Sequence, residues 1–342
     1  MKEKITIYDI AAKLNISAAT VSRALNGNTK ISDTTRKLVL EAAENMNYEQ
    51  NKLALALKSG KSKNVGVIVP HIDRSFFSGV IRGIEEELNS NGYRVIICQS
   101  YDTEEKEIES INALLNAQVD GILMSISNLT SDLDYILNKT VRKGVPLIFF
   151  DRKQDLKGVS TVTINDYEGG YQSTQHLINE GCKNIAHLRG SKRLEIYNDR
   201  CKGYKQALLD NGFEFKEEYV IETKSKIDEG AEAVQKLFKL PTPPDAIFSS
   251  SDFVALGAIK ELKKMGVKVP EEFSVVGFGN DPFTQFMELS ISSVDQFPTE
   301  MGKITAKVFL EQINSPGEIK IEKKVVLTPK LWIRKSSTKK DV

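Results

Sequence analysis

The sequence predicts an α/β protein in which a small helical headpiece precedes two doubly wound lobes with parallel sheets. Short continuous apolar runs such as VGVIVP, PLIFFD and FSVVGFG recur from Val65 onward, and longer stretches of helical pattern separate them. Uninterrupted apolar strands that alternate with amphipathic helices are typical of parallel sheets covered on both faces. About ten such strands are more than one sheet comfortably holds, so two lobes are expected.

The N-terminal segment contains three short helical patterns, each delimited by residues that cap helices. Thr6 and Asp9 have the spacing of a capping box, and Ser17 and Ser32 are placed to cap a second and a third helix. Asn-Gly at 26–27 is a good C-terminal stop for the second helix. Two short helices, a tight turn and a supporting third helix form a helix-turn-helix unit. On the third helix we expect the inward-facing residues to be Leu38, Ala42 and Met46.

The distribution of charge separates the two parts of the chain. The net charge is +1, but residues 1–63 contain eleven Lys/Arg and six Asp/Glu, whereas the remainder contains 36 Lys/Arg and 40 Asp/Glu. A basic end on a mildly acidic body indicates that the end meets a polyanion and the body does not.

Other features argue against several classes of protein. Cys98, Cys182 and Cys201 form no CxxC pair and are expected to be reduced thiols. The three histidines have no ligand spacing with them, so a structural metal site is not expected. No cofactor is expected either. No dinucleotide fingerprint, P-loop or GxSxG motif appears, so we do not expect an enzyme. No secretory or membrane-spanning segment is apparent, which favours a cytoplasmic protein with no membrane contact.

Residues 6–32, TIYDIAAKLNISAATVSRALNGNTKIS, resemble the headpiece of the LacI/GalR family of transcriptional regulators. The family pattern T-[IL]-x-D-[IV]-A followed by V-S-x-x-T-V-S-R-x-L-N is matched with its spacing. The resemblance extends through most of the chain and includes the FF pair after the first strand, VVGF near residue 276 and SSVDQ at 292–296. It implies a DNA-binding headpiece, a hinge helix and a periplasmic-binding-protein-like core.

The resemblance and the sequence patterns together predict the domain boundaries. The expected domains are a helix-turn-helix headpiece at 1–50, a hinge helix and linker at 51–63, an effector-binding core at 64–336 and a frayed polar tail at 337–342. The lobes of the core are expected at about 64–160 plus 291–322, and at about 161–290 plus 323–336.

The second helix is expected to be the recognition helix, which presents its N-terminal residues to base edges in the major groove. Ala18 and Ala19 offer only methyl contact, whereas Arg23 can donate two hydrogen bonds to a guanine. Relatives often carry larger polar groups at these two alanine positions, so the operator sequence stays open. Hydroxyl and amide groups nearby suit phosphates, which position the protein without specifying sequence. The predicted DNA-binding residues of the headpiece are Ile7, Tyr8, Ser17, Ala18, Ala19, Thr20, Ser22, Arg23, Asn26, Lys30, Ser32, Thr35 and Tyr48.

The segment NKLALALK at 51–58 resembles the hinge helix of the family. The resemblance implies that this segment folds on the operator and inserts a leucine, Leu57 by position, into the minor groove. Asn51 and Ala54 would lie nearby. An apolar wedge of this kind unstacks a base step and bends the DNA. The alternative is that the leucines of this segment simply pack under the core.

In the family the effector lies between the two lobes, and ligands of open α/β sheets bind beyond the carboxyl ends of strands. Aromatic faces beside charged groups that form paired hydrogen bonds suit a polyhydroxylated ring. For the charged residues, the alternative is an interlobe or surface salt bridge. The candidate effector-binding residues are Phe76, Phe77, Asp151, Arg152, Ile196, Arg200, Asp252 and Asn280.

Some positions depart from purine-sensing relatives. Leu194 and Ile196 replace a polar pair, and Ser225 replaces an aromatic residue. Gly279 stands where many relatives have an aspartate. A purine effector is therefore disfavoured, and a sugar or sugar derivative is the expected ligand.

The resemblance implies a sequence-specific DNA-binding transcriptional regulator, and more specifically a repressor, associated with the nucleoid. A homodimer would bind a pseudo-palindromic operator in double-stranded DNA, and a small-molecule effector would control its affinity. The alternative is a solute-binding protein of the same core fold without a regulatory role. The basic headpiece argues against that alternative.

Overall fold

Three helices form the described part of an N-terminal unit, which spans Met1–Ser62 and precedes a larger unit at Lys63–Val342. The structure is a computed structural model that describes residues 5–48, 60–127, 131–315 and 322–339. The helices of the first unit are α1 (Ile7–Leu14), α2 (Ala18–Leu25) and α3 (Asp33–Asn45).

Each of these helices has the N-terminal cap that the sequence predicts. The Asp9 carboxylate accepts hydrogen bonds from the backbone N–H and the hydroxyl of Thr6, both at 2.7 Å. The hydrogen bond from the Thr6 hydroxyl lowers the pKa of Asp9. Ser17 Oγ accepts the backbone N–H of Thr20 at 3.1 Å, and Ser32 caps α3 in the same way. The three predicted caps are confirmed.

The buried residues of α3 follow the 3.6-residue period of a helix and not the strict spacing of four residues that was predicted. Ile10, Val21 and Val39 are fully buried and pack together with small alanines. On α3 the buried positions include Val39 and Ala42, whereas Leu38 is 52% exposed. The prediction for Leu38 is wrong, because a spacing of i, i+3, i+4 and i+7 follows the 3.6-residue turn and a strict spacing of four residues drifts away from it.

The larger unit contains two six-stranded sheets and the remaining described helices. Its strands are β1 (Asn64–Val69), β2 (Arg94–Gln99), β3 (Ile122–Met124), β4 (Leu147–Phe150), β5 (Ser160–Ile164), β6 (Ile185–Arg189), β7 (Val220–Glu222), β8 (Ala246–Ser249), β9 (Ser274–Phe278), β10 (Ser292–Asp295), β11 (Lys324–Leu327) and β12 (Lys330–Trp332). Its helices are α4 (Ser75–Ser90), α5 (Glu104–Asn116), α6 (Ser131–Arg142), α7 (Asp166–Asn179), α8 (Glu195–Asp210), α9 (Ile227–Leu237), α10 (Asp252–Lys264), α11 (Phe283–Phe286) and α12 (Pro298–Asn314). Within the described ranges, no helix combines the length and the apolar character that a membrane span requires.

The strand order is β11-β5-β4-β3-β1-β2 in the first sheet and β12-β10-β9-β8-β6-β7 in the second. Neighbouring strands are parallel except for β10 and β12, which are antiparallel. Helices cover both faces of each sheet, and apolar side chains fill the space between them. The predicted α/β architecture with two doubly wound lobes is confirmed.

The chain crosses between the lobes at places that differ from the predicted boundaries. Strand β5 pairs with β4 in the first sheet, so the first lobe extends to Ile164 rather than to residue 160. The prediction assigned 291–322 to the first lobe: α12 of that range does pack on the first lobe, but strand β10 belongs to the second sheet. Strand β11 returns to the first sheet beside β5. The apolar runs marked each strand but not the sheet that the strand joins.

The C-terminal segment is part of the second lobe. Ser336 and Ser337 are fully buried, so the expectation of a frayed tail from residue 337 onward is wrong at Ser337. The Ser336 hydroxyl donates to the carbonyl of Val275 at 2.6 Å, and Ser337 Oγ lies 2.7 Å from His176 Nε2. A polar segment can be buried in this way because each hydroxyl finds a hydrogen-bond partner.

Candidate functional site

Fewer of the predicted DNA-binding residues of α2 are exposed than the sequence predicts. Ala19 and Arg23 are exposed one helical turn apart, at i and i+4. Ala18 is partly buried against the headpiece core, and Ser22 is half-buried. The structure therefore leaves Arg23 as the long polar side chain on the face that the recognition helix would turn toward DNA.

The other predicted DNA-binding residues of the headpiece surround the helix starts. The hydroxyls of Ser17 and Thr20 lie 2.8 Å apart, and those of Ser32 and Thr35 have the same arrangement. Both pairs stand at helix N-termini, which attract phosphate through free N–H groups and the helix dipole. The remaining positions are exposed at Tyr8, Asn26 and Lys30 and half-buried at Ile7 and Tyr48. Asn51, Ala54 and Leu57 lie outside the described residues.

A cleft of about 360 Å³ separates the two lobes of the core. The loops that follow β1, β2 and β4 form one wall, and loops after β6 to β10 form the other. The cleft therefore lies beyond the carboxyl ends of both sets of strands, as expected for an open α/β sheet. Six of the eight predicted effector-binding residues line it, namely Phe76, Phe77, Asp151, Arg152, Ile196 and Arg200.

Arg152 is held in the first wall by two carboxylates. Its Nη1 donates to Asp102 Oδ1 at 2.5 Å, and its Nε lies 3.7 Å from Asp151 Oδ2. Asp151 follows β4 with φ at +60°, and Ser125 donates a hydrogen bond to its carboxylate. Burial raises the pKa of Asp151, although the nearby Arg152 and Arg200 act to lower it. The arrangement fixes a guanidinium and a carboxylate side by side, which suits recognition of neighbouring hydroxyls.

Arg200 is held in the second wall by a buried network. Its side chain is only 4% exposed. It donates to Asp166 at 2.7 Å, to the carbonyl of Ser250 at 3.0 Å and to Gln296 at 3.1 Å. Its guanidinium lies 3.6 Å from the centre of the Phe278 ring. Burial raises the pKa of Asp166 to about 6, against the opposing effect of Arg200.

The structure does not place Asp252 and Asn280 on the lining of the cleft. Asp252 is fully buried, accepts hydrogen bonds from Ser293 Oγ and from the backbone of Asp281, and has its pKa raised to about 7 by burial. The Asn280 side chain donates to Asp295 and accepts from Arg334. Both residues follow strands, but their side chains stabilise the loop after β9.

Several residues that line the cleft were not predicted from the sequence. They are His71, Arg74, Asp102, Tyr197, Glu222, Asp281 and Gln296. Most of them also stand at or just after strand ends, so the same rule could have found them if it had been applied to every strand. Arg74 and Tyr197 needed the structure, because each lies several residues beyond its strand, at the start of or within the following helix.

The positions that depart from purine-sensing relatives all line the cleft: Leu194, Ile196, Ser225 and Gly279. Gly279 has φ at +130°, a conformation that disfavours a side chain. The nearby Asp281 instead places its carboxylate in the cleft, where the hydroxyl of Ser75 donates to it. No group of three or more His, Cys, Asp or Glu side chains among the described residues could hold a metal ion.

Family models match both units of the chain. The model described as periplasmic binding proteins and sugar binding domain of LacI family matches residues 62–330. The model described as bacterial regulatory proteins, lacI family, matches residues 6–51.

Individual proteins match over nearly the whole chain. Catabolite control protein A of Priestia megaterium is 34% identical over 91% of this chain and 93% of that protein. A solved complex of the transcriptional regulator CelR with cellobiose aligns with a TM-score of 0.73 at 28% identity, covering 97% of this chain and 100% of that chain. The lac repressor dimer bound to operator and the anti-inducer ONPF shares the fold with a TM-score of 0.87 at 22% identity, covering 98% and 99% of the two chains.

Proposed function

Because the chain belongs to the LacI family of bacterial regulatory proteins and is a DNA-binding transcriptional regulator, we propose how its two units perform that function. A homodimer binds a pseudo-palindromic operator in the cytoplasm and represses transcription, with a small carbohydrate in the interlobe cleft as its effector. The observation that carries the proposal for DNA is the exposed pair Ala19 and Arg23 on a capped helix.

Sequence discrimination is assigned to Arg23. Ala19 can contact only a methyl group such as that of thymine, whereas a guanidinium can donate two hydrogen bonds to one guanine. Phosphate contacts are assigned to the hydroxyl pairs at the starts of α2 and α3. The hinge contacts proposed for Asn51, Ala54 and Leu57 rest on the family resemblance alone.

A binding-site selection from random DNA followed by competition tests this assignment. For Arg23→Ala we expect a loss of discrimination of about 1–3 kcal/mol against one base pair, with little change in binding to unrelated DNA. Lys13→Ala removes an exposed charge from α1 and serves as the matched control. An equal loss on selected and unrelated DNA would make Arg23 a phosphate contact only.

A hydroxylated effector is supported by the composition of the cleft. The lining combines fixed donors at Arg152 and Arg200 with acceptors at Asp102 and Asp281. The aromatic rings of Phe76 and Tyr197 add flat apolar faces. Sugar rings present the same combination of paired hydroxyls and apolar faces. The solved relative bound to cellobiose agrees with a carbohydrate.

A thermal-shift screen against neutral sugars, sugar acids, sugar phosphates and nucleobases tests the effector class. A carbohydrate that binds the folded protein should raise the melting temperature, and above the Kd the rise should grow with the logarithm of its concentration. Phe76→Ala should abolish the shift, whereas Tyr135→Ala, an exposed aromatic away from the cleft lining, should leave it unchanged. A stabilising nucleobase with no stabilising carbohydrate would contradict the proposal.

A further inference from the structure

A second cavity of about 460 Å³ lies in the second lobe and shares no lining residue with the interlobe cleft. Residues of α8, of the end of β6 and of the start of β7 line it. Its lining is strongly basic, with Arg189, Lys192, Lys202 and Lys205 against the single acid Glu217.

Arg189 is the buried member of this cluster and is 7% exposed. Its Nε donates to the carbonyl of Gly190 at 3.3 Å, and its Nη2 donates to Asn198 Oδ1 at 2.5 Å. No carboxylate among the described residues lies within salt-bridge distance of it. The arginines of the cleft differ in this respect, because Arg152 and Arg200 each contact an aspartate. A buried cation without a counter-ion is costly, and an anion bound in the cavity would remove that cost.

Lys202 and Lys205 reach the same space from one face of α8, and Lys192 lies in the loop before that helix. Asn198, Cys201, Lys202 and Lys205 follow the i, i+3, i+4 and i+7 spacing. Lys202 is paired with Asp199 at 2.7 Å, whereas Lys205 has no ion pair within the described part of the chain and its ammonium lies 4.6 Å from the centre of the Phe215 ring. The positive charge of the cavity therefore exceeds what its acids neutralise.

We propose that this cavity binds a phosphate monoester, with the phosphate on Arg189 and Lys192 and the organic part against Phe215. A planar guanidinium matches phosphate oxygens, and a lysine adds a point charge. A phosphate monoester carries about −1.5 to −2 at pH 7, which balances several cations better than a carboxylate does. The apolar wall at Phe215 and Val220 gives the organic part a surface to cover. This site is separate from the effector site in the cleft.

The thiol of Cys201 lines the cavity and provides a reporter of its occupancy. The full-length protein is alkylated with N-ethylmaleimide, with and without phenyl phosphate, and the rate at each cysteine is measured by mass spectrometry. Cys98 is half-buried in the first lobe and is the internal control. We expect alkylation of Cys201 to be about tenfold slower once phenyl phosphate is about ninefold above its Kd, since only the unliganded fraction reacts. The rate at Cys98 should not change.

Paired substitutions identify the residues that hold the anion. Lys192→Gln combined with Lys205→Gln changes two exposed side chains and should weaken phenyl phosphate binding by about tenfold or more, since a charged hydrogen-bond donor to the phosphate and a second nearby positive charge are lost. Lys236→Gln removes a charge from an exposed position on α9 and is the matched control. Arg189→Gln should abolish binding if the variant folds.

Three results would overturn the proposal. The first is that Cys201 reacts at the same rate with and without phenyl phosphate. The second is that sodium chloride at equal ionic strength protects Cys201 equally. The third is that Lys236→Gln weakens binding as much as the double variant. Inorganic phosphate that binds as tightly as phenyl phosphate would overturn the assignment of an ester. DNA binding and sugar-induced stabilisation of the same samples show separately whether the headpiece and the cleft function as proposed.

Discussion

Glu107 on α5 is fully buried, and only one of the two oxygens of its carboxyl group has a hydrogen-bond partner among the described residues. Its Oε1 accepts the backbone N–H of Ser127 at 2.7 Å, and its Oε2 has no partner among the described residues. Burial raises its pKa to about 7, from 4.5. Between about pH 4.5 and 7 the folded state therefore keeps a proton on Glu107 that the unfolded state has released. As a result, Glu107 makes the free energy of unfolding decrease as the pH rises through this range.

Glu107→Gln should remove this pH dependence. A glutamine keeps the acceptor for Ser127 and cannot ionise. The free energy of unfolding of the variant, relative to that of the unsubstituted protein, should therefore increase between pH 5 and 8 by up to about 3 kcal/mol. Urea unfolding at both pH values measures the difference. Glu105→Gln changes an exposed neighbour on the same helix and should show no such pH-dependent gain. A constant difference for Glu107→Gln at all pH values would contradict the assignment.

Arg200 has two roles that a single substitution cannot separate. It lines the cleft, and it also compensates the buried carboxylate of Asp166. Arg200→Met should cost about 3–5 kcal/mol because a buried charge loses its partner, and adding Asp166→Asn should recover most of that loss. The fluorescence of Trp332, the only tryptophan and a residue of the second lobe, follows the unfolding. Effector binding is then tested in the double variant, where an unchanged sugar response would remove Arg200 from the effector site.

Glycines bring helices into backbone contact in both lobes. A Cβ at Gly203 of α8 would lie 2.0 Å from the carbonyl oxygen of Tyr167 in α7, and one at Gly170 of α7 would lie 2.1 Å from that of Arg200. The same reciprocal contact joins α4 with α12 through Gly83 and Gly302. Such close approaches leave no room for a side chain, so the helix pairs hold the cleft residues at fixed positions.

Gly203→Ala should separate α7 from α8 and shift the part of α8 that carries the cleft residues. Overpacking against backbone atoms should cost about 3 kcal/mol and weaken effector binding. Gln206→Ala lies three residues further along α8 on an exposed position and should change stability by less than about 0.5 kcal/mol. Thermal unfolding and effector titration of both variants measure these effects. An unaltered melting temperature for Gly203→Ala would show that the helices can separate freely.

Local signals in the sequence predicted most elements but not their partners. The helix caps at Thr6, Ser17 and Ser32 depend on residues three positions apart, so the sequence alone was enough. Six effector-site candidates were found because parallel strands end at one edge of a sheet. Asp252 was misplaced because its carboxylate turns toward Ser293, and the sheet that receives β10 was missed because strand pairing is not local.

A few contacts join the two lobes of the core across the cleft. The Ser75 hydroxyl of the first lobe donates to Asp281 of the second, and the Arg74 guanidinium lies 5.0 Å from the centre of the Phe253 ring. These contacts border the space that an effector would occupy. An effector that replaces these contacts shifts the equilibrium between the open and closed arrangements of the lobes. It can do so only by the difference between its affinities for the open and the closed arrangement.

This requirement gives the regulatory mechanism a direct test. If effector and operator favour different arrangements, each must change the affinity of the other by the same factor, about 5- to 150-fold in typical allosteric proteins. The stabilising sugar is titrated into the full-length protein alone, with saturating selected operator, and with scrambled DNA of equal length. We expect the sugar Kd to change only with the selected operator, since nonspecific DNA contacts mainly the phosphate-binding groups. An identical sugar Kd in all three titrations would show that the cleft does not control DNA binding, even if both sites bind as proposed.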